Sequence, residues 1–254
     1  MFEAFRLTVS VASLTFRATV RLQSYLLCSG LTIVAAGVGT LPVSPGLTAG
    51  ENHYLQAGLS TLLLGMIVHC LVVLPRVLPA ARGRWKEEAV LALPLPAGVL
   101  TLGAWAGFSA ALALFVLAGG VVYVVVAGQT CASVQVGGLL SPLLFALLLG
   151  LITVALVTAL CGLLPPLPSL AAALIIILLG QAASYWPLLP SILFPPFDRL
   201  GPDLFPGGVP GSALPAFLHG GASLLFYLSI AIWASSRAAA VKGLATENTE
   251  GHRG

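Results

Sequence analysis

Val99 to Ala127 reads VLTLGAWAGFSAALALFVLAGGVVYVVVA, and it is the middle of a longer run, Ala89 to Phe197, that contains no Asp, Glu, Lys, Arg or His. A solvated domain covers its surface with charged side chains, so a run of this length has hydrocarbon rather than water as its surroundings. The rest of the chain agrees. It is 58% hydrophobic and 7% charged, with a mean hydropathy of +1.04, against roughly 25% charged in a soluble domain. The 254 residues hold several spans of about 20 residues each and leave little for a soluble domain. A net charge of +3, with no basic patch interleaved with aromatics, does not point to nucleic acid. Arginines spread through Met1–Gln23, with no compact apolar core before a small-residue cleavage site, lead us to expect no cleavable signal peptide.

The sequence therefore predicts an all-α, polytopic membrane protein. Six spans are expected near Ser24–Leu41, Leu55–Leu78, Gly98–Ala127, Leu139–Leu164, Leu167–Tyr185 and Ser212–Ser236. The breaks between them carry turn chemistry, at Pro42 to Gly46, at Pro165-Pro166-Leu167-Pro168, and through a Pro/Gly-rich run from Trp186 to Gly211. The third span is longer than a bilayer needs, so it tilts or begins in the aqueous phase. With the N-terminus in the cytoplasm, Arg6, Arg17, Arg21, Arg76, Arg82, Arg84, Lys86, Arg237, Lys242 and Arg253 are inside and Arg199 alone is outside. The positive-inside rule selects that orientation, with both termini cytoplasmic. Residues 1–23 form an amphipathic interface helix, with Phe2, Phe5, Leu7, Val9, Leu14 and Phe16 apolar among Glu3, Arg6, Arg17 and Arg21. Residues 1–240 are read as one six-helix membrane domain, and residues 241–254 as a disordered cytoplasmic tail.

Ionisable residues at bilayer depth are functional candidates, and few are present. His69 in span two and His219 in span six have no carboxylate in any span to pair with. Each is read as a neutral histidine hydrogen-bonded to a neighbouring helix backbone. The lack of an embedded acid argues against proton- or sodium-driven transport. Rings of charge or a carbonyl filter, the marks of a channel, are not seen. Cys28, Cys70 and Cys161 fall in apolar segments and read as small hydrophobes, while Cys131 is expected at an aqueous face. Gln129, Thr130, Ser133 and Gln135 are placed in an outer loop, and Gln181, Ser184 and Tyr185 at the outer end of span five. Gly103, Ala104, Ala106, Gly107, Ser109 and Ala110 allow close helix approach.

The most charged part of the chain is the cytoplasmic connection between spans two and three: Arg82-Gly83-Arg84-Trp85-Lys86-Glu87-Glu88, then Leu91, Leu93 and Pro94. It reads either as a short surface helix facing a partner or as a solvated loop anchored by Trp85. The order of elements resembles that of the ABC type-2 permease family: an Arg-bearing interface helix, two spans, Glu, a Leu-rich turn, Pro, and a Gly-rich third span. Glu88, Leu91, Leu93, Pro94 or Pro96, and Gly103 or Gly107 carry the resemblance, as do Ser13 to Arg21 and Phe194 to Leu200. The chain departs from the family at Ala89-Val90, where Gly-Thr is common. Pro94 to Leu100 resembles the haem-exporter type B subunit of cytochrome c maturation. The Pro-rich loop before span six is closer to permeases of nitrous-oxide-reductase maturation.

The resemblance implies a dimer of permeases, homo- or heteromeric, in the inner (cell) membrane of a bacterium or archaeon, bound to two cytoplasmic ATPase subunits. ATP and Mg would then be cofactors of the partner, with none bound by this chain. No Gly-x-x-x-x-Gly-Lys-Ser/Thr loop surrounds either lysine, Lys86 or Lys242. The segment at 80–96 would be a coupling helix that docks on the ATPase through Arg82, Arg84, Trp85, Lys86, Glu87, Glu88, Leu91, Leu93 and Pro94. Phe16, Arg17 and Arg21 of the interface helix would support the contact. ATP-driven closure would then rock the spans as rigid bodies. The apolar walls favour a lipid-like or amphipathic cargo, or a gate that pushes on a partner protein. Two other classes compete. A non-transporting scaffold subunit fits the same pattern. An intramembrane enzyme fits less well, because Glu87-Glu88 resembles the paired glutamates of prenyl-protein peptidases but Ala92 stands where their Arg belongs. His69 and His219 also lack the rest of a metal set.

Overall fold

A computed structural model describes residues 2–41, 51–77, 96–130, 136–182 and 213–250. The described residues are helical almost throughout: α1 (Phe2–Arg21), α2 (Gln23–Gly39), α3 (Glu51–Val68), a π-helical turn (His69–Val73), α4 (Leu74–Val77), α5 (Ala97–Thr130), a 3-10 turn (Val136–Leu139), α6 (Leu140–Leu163), α7 (Pro166–Ala182) and α8 (Ala213–Glu250). Hydrocarbon supplies no hydrogen-bond partner for the backbone, so a chain this apolar closes its amides within each segment. The core lies where α3, α5 and α6 meet, with Leu59, Leu62 and Met66 packed among Phe108, Leu112, Phe115, Phe145 and Leu149. Large apolar residues also cover the outside: Leu31 is 72% exposed, Leu167 80% and Leu225 68%. An outer surface of leucine is stable against lipid tails and unfavourable against water.

The helices follow the expected segments, but among the described residues only four or five of the six expected spans qualify by length and composition. Among the described residues, four helices are long and apolar enough to cross a bilayer: Tyr54–Val77, Gly98–Gln129, Leu140–Leu163 and Leu214–Arg237. A fifth arises only if α1 and α2, bent by 68° at their junction, are taken as one broken span. α2 and α7 have 17 residues each, about 26 Å of helix against a hydrocarbon core of about 30 Å. That shortfall separates the structure from six full spans. α5 errs the other way, since its 34 residues make about 51 Å of helix. Its last turn takes in Gln129 and Thr130, which the sequence reading placed in a loop. α8 continues to Glu250, past the Ser236 end expected for the last span and into the tail read as disordered. Ala238-Ala239-Ala240 and the residues after them are mostly good helix formers, with no proline to stop them.

Two local features shape the bundle. Leu22 breaks the helix between α1 and α2 with extended backbone (φ −70°, ψ 126°). The π-helical turn lies just before Pro75, and the Leu74 amide donates to the His69 carbonyl across it. Proline has no amide proton and its ring collides with the carbonyl four residues back. A widened turn immediately upstream relieves that collision.

Candidate functional site

Two constructions stand out, both built on α5. The first is a polar junction where α2, α3 and α5 meet. His69 opens the π-helical turn and is fully buried. Its Nδ1 lies 2.7 Å from the Gly65 carbonyl, one turn back on α3. A carbonyl only accepts, so Nδ1 carries the proton and donates. In the neutral ring Nε2 is then an acceptor, and Ser29 of α2 donates its hydroxyl to it at 2.9 Å. Tyr25, one turn before Ser29, meets the imidazole edge-on with centroids 5.3 Å apart. Phe115 of α5 covers the ring at 4.5 Å. The Tyr25 hydroxyl donates to the Ala111 carbonyl of α5 at 2.8 Å. One histidine, one serine and one tyrosine thus tie three helices together. Farther along α5, the Tyr123 hydroxyl repeats the device by donating to the Leu55 carbonyl of α3 at 3.0 Å.

The second construction is the seat of α1 on the first half of α5. A Cβ added at Gly103 would lie 2.6 Å from Val11 Cβ and 2.9 Å from the Thr8 carbonyl oxygen, and one at Gly107 would run into the Ala12 carbonyl. These two glycines, four residues apart on one helix face, let the α1 backbone come into direct contact. The side of α1 turned to α5 carries Thr8, Val11, Ala12 and Thr15, with the fully buried Thr19 one turn further on. Thr8 and Thr19 give their hydroxyl protons to the Ala4 and Thr15 carbonyls, at 2.9 and 2.8 Å. Their methyl groups are then free to pack.

The sequence-derived candidates divide accordingly. Phe16 is half-buried and packs against the core, while Arg17 and Arg21 are exposed. Arg82, Arg84, Trp85, Lys86, Glu87, Glu88, Leu91, Leu93 and Pro94 lie outside the described residues, as do Cys131 and the run from Trp186 to Gly211. The elements that flank the charged connection are described: α4 ends at Val77 and α5 begins at Ala97. Both touch α1, so α1 marks the end of the bundle at which the connection departs.

His69 differs from its expectation in one respect. Its close backbone bond is to Gly65 on its own helix, and the neighbouring α2 contributes the Ser29 side chain beside the Tyr25 backbone. Ser29 and Tyr25 were not singled out from the sequence; their four-residue spacing within an apolar span was the available signal. His219 is half-buried on α8. Cys70 and Cys161 are buried, and Cys161 Sγ lies 3.2 Å from Ser169 Oγ across the α6–α7 turn. Among the described residues, no three His, Cys, Asp or Glu side chains gather around one point as metal ligands would. Among the described residues, Ser24 Oγ, Trp105 Nε1 and Ser109 Oγ are buried without a hydrogen-bond partner. No protein-family model matches this chain, and no curated protein is similar to it at a significant level.

Proposed function

We propose that this chain is the membrane subunit of an ATP-driven transporter of the ABC type-2 permease kind, working as a dimer with a separate pair of cytoplasmic ATPase subunits. The observation that carries the reading is the position of α1. An amphipathic helix enters the first membrane helix through a 68° bend and rests on α5, the helix that begins where the charged connection ends. A force applied to the connection at Trp85–Glu88 reaches α5 and, through Gly103 and Gly107, α1 and α2. The polar junction at His69 then passes the motion on to α3. Six crossings, with α2 and α7 thinning the bilayer locally, complete the topology of the proposal. The cargo is lipid-like or amphipathic, because the spans offer apolar walls.

The experiment is purification from the native host in mild detergent, with mass-spectrometric identification of bound subunits. A stoichiometric ATPase in the complex is the expected result. Trp85→Ala, or Glu87→Ala with Glu88→Ala, is expected to lower its recovery on the order of tenfold, the loss of one well-packed contact. A wild-type complex without any ATPase would refute the transporter reading, and other stable subunits in its place would favour a scaffold. Full ATPase recovery in every variant would remove the coupling role from this segment.

A further inference from the structure

Among the described residues, α1 keeps an exposed side turned away from α5. At about 100° per residue, Thr8, Val11, Ala12 and Thr15, with the buried Thr19, fall within one arc of about 100°. That is the arc against Gly103 and Gly107. Arg6, Arg17 and Arg21 fall within an arc of about 60° on the opposite side, and all three are exposed. Glu3 shares that arc. Between the two arcs lie apolar flanks: Phe5 (66% exposed) and Val9 (50%) on one side, Leu14 (61%) on the other. An amphipathic helix on a water-soluble core turns its large apolar residues inward. α1 keeps Phe16 and Val20 against the core but turns Phe5, Val9 and Leu14 outward, so these flanks require a medium that accepts them, with a guanidinium row set between.

We propose that the outward row Arg6, Arg17 and Arg21 is a docking surface for anionic phospholipid headgroups, with Phe5, Val9 and Leu14 seated among the acyl chains on either side. Charge complementarity and the paired apolar flanks favour this occupant over a protein groove. Guanidinium suits phosphate because its fork makes two parallel hydrogen bonds. Arg17 and Arg21 are one turn apart on the same face and stand beside the Leu22 bend, where the chain turns into α2. A bound headgroup there holds the bend at the membrane surface. The inference depends on the chain being embedded in a membrane and is independent of the ATPase.

The test uses the full chain without any partner, reconstituted in phosphatidylcholine bilayers with a trace of spin-labelled phosphatidylglycerol or phosphatidylcholine. Wild type is expected to restrict phosphatidylglycerol about fivefold more strongly than phosphatidylcholine at low salt, the effect of one basic group at an anionic surface. The preference should fall at high salt. It should disappear in R6Q/R17Q/R21Q and persist in R237Q, which changes a basic residue on α8. If the triple variant does not reconstitute, R17Q and R21Q are measured singly, and each is expected to remove part of the preference. Equal restriction of the two lipids by wild type would overturn the proposal and leave the row to a protein partner. An undiminished preference in the triple variant, or in both single variants, would overturn it as well.

Discussion

α5 is held on two sides by different chemistry. Against α1 it offers glycine, and the seam is made by backbones in contact. Against α2 and α3 it offers a carbonyl to Tyr25 and the ring of Phe115 to His69. Between helices the medium is as apolar as the side chains, so burying leucine gains little. What remains is close packing and hydrogen bonding, and this bundle uses one on each side. The comparison teaches that the two seams differ in what they tolerate. The α1 seam brings the main-chain carbonyls of Thr8 and Ala12 up to the glycines, and main chain cannot move aside as a side-chain tip can. A seam of hydrogen bonds loses them one at a time.

Substitutions that exploit this difference are expected to rank in order. Gly107→Leu has the largest effect, because its Cβ meets a main-chain carbonyl; we expect a loss of about 3 kcal/mol or more, read as a lower unfolding temperature in detergent. A stability equal to wild type would mean that α1 does not rest on α5. His69→Ala comes next, at about 2–3 kcal/mol. It leaves a cavity under Phe115 and leaves Ser29 without its acceptor. A double-mutant cycle of His69→Ala with Ser29→Ala should give a coupling of about 0.6–1.7 kcal/mol, and a coupling near zero would show that the two side chains do not interact. Tyr25→Phe and Tyr123→Phe each remove one interhelical hydrogen bond and should cost about 0.5–1.5 kcal/mol in the same unfolding assay. Gly30→Ala is the smallest and has the opposite sign. Among the described residues, no atom beyond the local stretch of its own helix lies within 4 Å of a Cβ placed there, so replacing a mid-helix glycine should be neutral or stabilise by up to about 1 kcal/mol. Destabilisation at Gly30 would point to a partner on the outer face of α2.

Much of the fold was legible because hydropathy marks helices directly when the solvent is lipid. The segments later seen as α2, α3 with α4, α5, α6, α7 and α8 were each located to within a few residues at most ends. Their ability to span was less legible, since α2 and α7 stop at 17 residues and span length depends on where caps and bends fall. Gly103 and Gly107 were recognised as packing residues, but their partner was hidden. Small residues state that something approaches closely and not what does. The polar junction was half legible. His69 is conspicuous in an apolar segment, whereas Ser29 and Tyr25 are ordinary residues whose role appears only when α2 is laid beside α3.

The sequence by itself determined that this chain is helical and lies in a membrane. The second follows from the uncharged run Ala89 to Phe197, which water could not solvate, and the first from the backbone's need for internal hydrogen bonds once no water is present. Tertiary structure alone decided which side of α1 faces the bundle. A helix with a threonine-bearing side and two apolar flanks has more than one way to dock in lipid. Only the notch at Gly103 and Gly107, distant in sequence, selects the seating that turns the arginines outward.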